Sequence, residues 1–214
     1  MRIGIDVDLT TVESDVAWWN WLLNMCFIKD DYLDLLPLNL SLHDFIQNIK
    51  DHKGEQISYN LAKYFESPIN DNVDPMDFWR NEGAYDTIHV RTDAQQYITQ
   101  LIKDGHEIVF ITHNKGNGSR SKYNLLARKF GKYNFAYVVT KEKYLVDVDV
   151  LIDDRREFCN QMLHGGKHSA LIETPYVQYY ELVDTSKMNV QFREVQNWKQ
   201  FYQFIQDLEN NHVS

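Results

Sequence analysis

The 214-residue sequence has few of the residues that mark secreted, metal-thiolate or disordered proteins. Its only two cysteines, Cys26 and Cys159, lie far apart and outside any CxxC pair. Neither a disulfide framework nor a thiolate zinc site is therefore expected. Nine glycines and four prolines, against 43% hydrophobic residues, exclude collagen, low-complexity linkers and wholesale disorder. We expect one packed globule with both cysteines as small core residues.

Long apolar runs are also missing. A transmembrane helix needs roughly 18 apolar residues, and the richest stretch, residues 16–28, is interrupted by Asn20 and Asn24. The opening MRIGID reaches an acidic residue too early for a cleavable signal peptide. We expect a cytoplasmic protein with no membrane partner.

Positive charge is scarce. Lys and Arg total 22 against 31 Asp and Glu, which gives a formal net charge of −9. Because proteins hold duplex nucleic acid mainly through clustered basic residues, no duplex nucleic acid partner is expected. The composition leaves open whether the chain forms a homodimer.

What the sequence does contain is an alternation of short apolar runs and helical patterns. This alternation is typical of strand–helix–strand units around a mostly parallel sheet. The predicted strands are residues 2–5, 107–112, 135–140, 148–153 and 170–173. The predicted helices are residues 121–130, 155–164 and 197–210, and one that starts at a Thr92–Gln95 capping box and stops at Gly105. The predicted fold class is α/β, a Rossmann-like parallel sheet with helices on both faces.

Residues 12–91 interrupt this alternation. They contain helix-like segments at 14–27, 41–51 and 55–65, and Asp74-Pro75 then opens a short helical turn. We predict a small helical cap that leaves the sheet after the first strand. The catalytic core would then be residues 1–11 and 92–214, with residues 12–91 as the cap insertion.

Polar residues follow the predicted strands at their C-terminal ends. They are Asp6 and Asp8 after IGI, Thr112 after EIVFI, Lys141 and Lys143 after AYVVT, and Asp153 and Asp154 after VLI. The C-terminal ends of parallel strands share one edge of a sheet, where open α/β sheets place their ligands. Each residue alone has an ordinary explanation as a turn, a helix cap or a solvated charge. Their order and shared edge point to a site.

This set of side chains suits phosphoryl transfer to an aspartate. A carboxylate that attacks a phosphate dianion needs a hard divalent cation, here Mg2+, to offset the repulsion. Asp6 and Asp154 would supply metal oxygens, with Asp8 as a further candidate ligand, and Asp6 would form an aspartyl phosphate. Asp8 would protonate the leaving oxygen and then deprotonate the attacking water. Thr112 would hydrogen-bond a transferring oxygen, and Lys143 would balance the charge.

Two residues after Thr112 are candidates for substrate binding. His113 is closer to the predicted crevice than the other seven histidines. Lys115 lies in the loop HNKGNG, from which it could reach a phosphate. Because no second histidine stands at ligand spacing, His113 is not counted as a metal ligand.

These segments resemble a known family. Asp6-Val7-Asp8-Leu9-Thr10, Thr112 after an apolar strand, a downstream lysine and Ile152-Asp153-Asp154 look like the four motifs of the haloacid dehalogenase (HAD) superfamily. The resemblance covers the chain outside the insertion. It implies a HAD-like fold, a mobile helical cap between the first and second motifs, and a phosphatase. The second aspartate is the mark of the phosphoryl-transfer members, which disfavours a dehalogenase.

A narrower resemblance is to the 5'(3')-deoxyribonucleotidases. Residues 140–143 (TKEK) and 149–155 (DVLIDDR) are similar to that family's lysine loop and its DLLIDDR segment. This resemblance implies Lys143 rather than Lys141 in the catalytic place, and Asp154 rather than Asp153 as metal ligand.

Further positions agree with this narrower resemblance or depart from it. The family's helix after the second motif is similar to this chain at Lys122-Tyr123 and Phe130-Gly131, and its late tryptophan is similar to Trp198. Leu9 stands where the family usually has glycine, and His113-Asn114 where it usually has Ser-Pro. The family's cap aromatics have no residue-by-residue match here.

The insertion holds four of the five tryptophans, namely Trp18, Trp19, Trp21 and Trp79. Bases stack on aromatic faces, but aromatics are about as frequent here as in the whole chain, so their number decides nothing. The predicted function is a Mg2+-dependent phosphatase, with a small-molecule phosphomonoester, a (deoxy)nucleoside monophosphate, as substrate. The alternatives are another small phosphomonoester, a polynucleotide phosphate end, and a catalytically silent HAD-like module that binds a nucleotide or a protein.

Overall fold

A computed structural model describes residues 1–68, 73–113 and 117–211. The helices of these residues are α1 (Ser14–Met25), α2 (Asp30–Leu33), α3 (Leu42–Lys53), α4 (Asp77–Arg80), α5 (Thr92–Lys103), α6 (Ser119–Phe130), α7 (Arg156–His164) and α8 (Trp198–Asn211). The strands are β1 (Arg2–Ile5), β2 (Phe27–Ile28), β3 (Phe65–Glu66), β4 (Glu107–Thr112), β5 (Phe135–Val139), β6 (Val150–Asp153), β7 (His168–Ile172) and β8 (Phe192–Val195). Two 3-10 turns lie at Leu61–Tyr64 and Lys143–Leu145. Within these ranges no helix has both the length and the apolar character to cross a membrane.

Six strands form a parallel sheet in the order β5-β4-β1-β6-β7-β8. The strand β1 lies between β4 and β6, so that Ile5 pairs with Phe110 on one side and with Ile152 on the other. The C-terminal ends of these three strands therefore lie side by side. The predicted α/β fold with a parallel sheet is confirmed.

Helices cover both faces of the sheet. On one face, alternate strand residues such as Ile5 and Phe110 belong to the main core with residues of α5, α6 and α8. On the other face, Val109 and Ile111 pack in a smaller cluster with residues of α7. Burial on both faces explains why the central strands are continuous apolar runs in the sequence.

Two features of the core differ from the sequence-based prediction. The prediction of a Thr92–Gln95 capping box is wrong. The helix α5 begins at Thr92 itself, and the side chain of its N-cap residue, Arg91, makes no capping hydrogen bond. A further strand, β8, pairs with β7 at one edge of the sheet. Its residues are mostly half-buried or exposed, so no apolar run marks it.

Residues 12–91 hold α1 to α4 and a two-stranded antiparallel sheet of β2 and β3. The helix predicted at 55–65 is wrong, since Ile57 pairs with Tyr176 and only a 3-10 turn precedes β3. Trp19 packs against Phe45 and Phe65 inside the insertion. The buried residues of the insertion belong to the same hydrophobic cluster as residues of α5 and α8. That the insertion forms a separate cap stays a prediction.

Candidate active site

Three carboxylates meet at the C-terminal edge of the sheet. Asp6 follows β1, Asp153 ends β6, and Asp154 comes next. Each offers one oxygen, and these oxygens lie within 4.8 Å of one another. All three residues are buried. The structure thus brings Asp6 and Asp154 together, as the strand order predicts, and adds Asp153.

Lys143 lies against two of these carboxylates. Its Nζ donates to Asp6 Oδ1 and, at 2.6 Å, to Asp153 Oδ2. The side chain is 1% exposed, and its ammonium lies 4.4 Å from the centre of the Phe158 ring. Among the described residues, Lys143 is the lysine that pairs with this group of three buried carboxyl groups.

Burial is the main influence on the ionisation of Asp6 and Asp154. Burial raises the pKa of Asp6 to about 7, with Asp153 and Asp8 adding to the rise and Lys143 opposing it. Burial also raises the pKa of Asp154 well above its ordinary range, as do Asp153 and Asp6. Burial alone would lower the pKa of Lys143, but the neighbouring carboxylates raise it. The pKa of Lys143 is thus raised, which holds it charged, whereas burial disfavours the charged forms of Asp6 and Asp154 and raises their pKa.

A hard divalent cation fits this group. Asp154 Oδ2 is buried and has no hydrogen-bond partner among the described residues, which is costly unless a cation or a proton reaches it. Asp153 is engaged at both oxygens, by Lys143 and by the Arg155 backbone N–H at 3.0 Å. Asp6 and Asp154 would hold Mg2+, whose preferred ligands are oxygens. When bound, Mg2+ would offset the repulsion between the carboxylates and a phosphate dianion.

Asp8 is not a member of the carboxylate group that could hold a metal. Its Oδ1 accepts from the Tyr85 hydroxyl at 2.6 Å, and its Oδ2 accepts from Lys122 Nζ at 2.6 Å. Both carboxylate oxygens of Asp8 are thus engaged by side chains, and its assignment as a metal ligand stays a prediction. Its place beside the group still suits a proton carrier.

The other predicted residues lie in different surroundings. Thr112 ends β4, is fully buried, and accepts from Lys122 Nζ at 2.7 Å through its Oγ1. It is not among the described residues that line the cavity, whereas His113 is. Lys115 lies outside the described residues.

Lys122 and Tyr85 are site residues that the sequence analysis did not identify as such. Lys122 lies on the buried face of α6 beside Ser121 and Leu125, and its ammonium is 4.7 Å from the centre of the Tyr85 ring. A lysine at a buried helical position is the signal that could have revealed it. Tyr85 comes from a turn of the insertion, where no pattern distinguishes it from other aromatics.

These groups open into a cavity of about 350 Å³. Trp18 and Trp79, from the insertion, meet edge to face there at 5.2 Å between ring centres. Tyr59 and Tyr176 stack at 5.0 Å. Further aromatic residues of the lining are Tyr85, Phe158, Tyr179 and Tyr180. The walls beyond the carboxylates therefore carry eight aromatic side chains among aliphatic and polar ones.

Hydrogen bonds join the insertion to the predicted core beside the cavity. The Tyr59 hydroxyl donates to the Asp154 carbonyl oxygen at 2.5 Å. The Tyr176 hydroxyl donates to Asp15 Oδ2 at 2.8 Å. Tyr59 and Asp15 belong to the insertion, whereas Asp154 and Tyr176 belong to the predicted core. The insertion and the core thus enclose the cavity together.

The turn after β1 has an unusual backbone. Leu9 has a φ of 62°, in the left-handed region that favours glycine, and it stands where the narrower family resemblance expects glycine. Its N–H donates to Ser14 Oγ at 3.3 Å, and Thr11 Oγ1 donates to the Asp6 carbonyl oxygen at 2.6 Å. The turn is thus formed with a leucine in place of the expected glycine.

The raised pKa of Asp6 predicts how the stability of the metal-free protein depends on pH. Its pKa is about 7 in the fold against an ordinary 3.8, so the folded state binds this proton more tightly than the unfolded state. The stabilisation is complete below the unfolded value and is lost as the pH rises through the folded value. In chelator, we expect a higher melting temperature at about pH 5.5 than at about pH 8.

Asp6→Asn is the comparison for this measurement. It removes the titrating group, so its melting temperature should depend less on pH than that of the wild type. A dependence as steep as that of the wild type would show that other groups cause it.

Comparisons with known proteins place this architecture. Neither a protein-family model nor a curated protein matches the chain. A HAD-superfamily hydrolase from Ehrlichia chaffeensis has a TM-score of 0.53 at 10% identity, over 97% of this chain and 96% of that chain. A dehalogenase with an intermediate complex has a TM-score of 0.54 at 7% identity, over 95% of this chain and 96% of that chain. CbbY from Rhodobacter sphaeroides, in complex with phosphate, has a TM-score of 0.50 at 15% identity, over 94% of this chain and 95% of that chain. The chain has the HAD-like α/β fold.

Proposed function

We propose that this protein is a Mg2+-dependent phosphomonoesterase that works through an aspartyl phosphate on Asp6. One observation carries the proposal: Asp6, Asp153 and Asp154 meet around Lys143 at the ligand-binding edge of the sheet, and a buried Asp154 oxygen lacks a partner among the described residues. The HAD-like fold, shared with known hydrolases, supports the same class of chemistry.

The residues suit a reaction in two halves. In the first, a carboxylate oxygen of Asp6 attacks phosphorus, the bond to the leaving oxygen breaks, and Asp8 donates its proton to that oxygen. In the second, Asp8 takes a proton from water, the water oxygen attacks phosphorus, and Asp6 leaves as a free carboxylate. Lys143, which donates to Asp6, offsets negative charge in both halves.

We infer a nucleoside monophosphate, ribo or deoxy, as the substrate. A cavity of about 350 Å³ lies within the range of small-molecule sites. Trp18, Trp79 and Tyr59 line it from the insertion, and Tyr176 lines it from the predicted core. Aromatic faces bind planar bases by stacking, so these walls favour a nucleotide over a sugar phosphate.

A substrate panel tests this function. With Mg2+, the protein should hydrolyse p-nitrophenyl phosphate, and chelator should stop the reaction. Nucleoside monophosphates should exceed sugar phosphates in kcat/KM by about tenfold or more, which is about 1.4 kcal/mol. A tenfold preference for sugar phosphates would exclude the nucleotidase function, and no hydrolysis of any substrate would favour the silent binding module.

Trp79→Leu sharpens the test of the aromatic wall. Loss of one stacking face should raise KM for a nucleoside monophosphate by about tenfold and leave kcat/KM for ribose 5-phosphate within about twofold. Trp21→Leu is the matched control, because Trp21 packs on Phe78 and is not among the described residues that line the cavity. Equal effects of the two substitutions would contradict a stacking role.

A further inference from the structure

We propose that Lys122 and Tyr85 are positioning residues that hold the carboxyl group of Asp8 for proton transfer to the leaving oxygen. This inference rests on the proposed function, because only there does Asp8 act as acid and base. The motifs on which that function rests include neither residue.

The two residues hold one oxygen of Asp8 each. Tyr85 donates to Oδ1 and Lys122 donates to Oδ2, both at 2.6 Å. Two donors on opposite oxygens fix the plane of the carboxyl group as well as its position. The Asp8 side chain is 26% exposed, so without these bonds it would be free to rotate at the edge of the cavity. Proton transfer in the transition state depends on such orientation.

The two holding residues are themselves fixed. Lys122 is 1% exposed and Tyr85 is 2% exposed. The Lys122 ammonium also donates to Thr112 Oγ1 at 2.7 Å and lies over the Tyr85 ring. Buried side chains with several partners keep one rotamer, which is the support that a preorganised catalytic group needs.

The two residues also come from different parts of the chain. Lys122 belongs to α6, next to β4, whereas Tyr85 belongs to the insertion. The position of Asp8 therefore depends on the insertion lying against the core. The insertion thus both encloses the cavity and supplies one of the two side chains that orient the Asp8 carboxyl group.

A second role for Lys122 must be separated from this one. An ammonium has three N–H donors, and two are used by Asp8 and Thr112. The third could bind a phosphoryl oxygen, since Lys122 lines the cavity. Phosphate binding would affect all substrates alike, whereas positioning of Asp8 matters most for leaving groups that need a proton.

The experiment compares two substrates in the full-length protein with saturating Mg2+. p-Nitrophenolate departs without a proton, whereas the alkoxide of a nucleoside 5'-monophosphate needs one. Tyr85→Phe should lower kcat/KM for the nucleotide by about tenfold and for p-nitrophenyl phosphate by less than about threefold. Lys122→Gln should also lower kcat/KM more for the nucleotide than for p-nitrophenyl phosphate, by about a hundredfold against less than about tenfold.

Matched controls come from the exposed face of α6. Tyr123→Phe removes a phenol hydroxyl and Lys129→Gln removes a lysine charge, and both residues are exposed. Both controls should keep wild-type values for the two substrates. The inhibition constant of inorganic phosphate should stay within about twofold of the wild type in Tyr85→Phe and Lys122→Gln.

Equal losses for the two substrates would overturn the inference. A tenfold rise in the phosphate inhibition constant of Lys122→Gln would do so too, because it would assign Lys122 to phosphate binding. If Lys122→Gln does not fold, Tyr85→Phe decides alone, since it keeps the buried ring. A wild type that hydrolyses neither substrate would instead overturn the proposed function, so the two failures are distinguishable.

Discussion

Asp6→Asn should abolish the hydrolysis of phosphomonoesters, with a loss of about four powers of ten or more in kcat. The amide has the size of the carboxyl group but cannot form the aspartyl phosphate. Steady-state turnover of p-nitrophenyl phosphate with Mg2+ measures the loss. Acid quenching of the wild type during turnover, followed by peptide mass spectrometry, should find one phosphoryl group on the peptide that contains Asp6.

The matched control for this substitution is Asp86→Asn. Asp86 is exposed and belongs to the insertion, so its amide should leave turnover within about twofold of the wild type. Retention of more than about 1% of activity by Asp6→Asn would show that another group attacks phosphorus. A phosphoryl group found on a different peptide would lead to the same conclusion.

Lys143→Met should damage both the stability and the activity of the protein. It leaves Asp6 and Asp153 buried without their common ammonium partner. Breaking a buried ion pair by removing one partner costs about 3–5 kcal/mol, so the free energy of unfolding in chelator should fall by that amount. Turnover should fall by about two to three powers of ten, because the charge on the nucleophile is no longer balanced. Urea unfolding and steady-state kinetics measure the two effects.

Lys141→Met provides the contrast, because Lys141 lies in the same loop but is exposed. Its free energy of unfolding should stay within about 0.5 kcal/mol of the wild type. Added Mg2+ should restore part of the stability of Lys143→Met, since a bound cation supplies the missing positive charge. A larger loss in Lys141→Met than in Lys143→Met would reverse the assignment of the two lysines.

The central strands could be predicted from the sequence because they are buried on both faces. EIVFIT reads as a continuous apolar run and forms β4 with the predicted bounds. The edge strand β8 has no such run, because its residues are mostly half-buried or exposed. The helix predicted around Ile57 is wrong because the conformation of this segment is set by pairing with the distant Tyr176, which local periodicity does not reveal.

The site could be predicted in part for a related reason. Asp6 and Asp154 follow strands that are neighbours in the sheet, so the rule for C-terminal strand ends brings them together. That rule does not reveal which way a side chain turns, and Asp8 faces Lys122 and Tyr85 rather than the carboxylate group. Both partners reach Asp8 with long side chains from elements distant in sequence, so strand-end spacing does not point to them.

The left-handed backbone of Leu9 limits which residues this position can accept. Isoleucine has the same volume as leucine, but its branched Cβ excludes it from that region of backbone space. A chain with Leu9→Ile would have to rebuild the turn, and the rebuilt turn would move Asp8 away from Lys122 and Tyr85. Asparagine and glycine, which are smaller and less apolar, would preserve the dihedral angle. At this position the main chain, rather than hydrophobicity, decides which exchange is conservative.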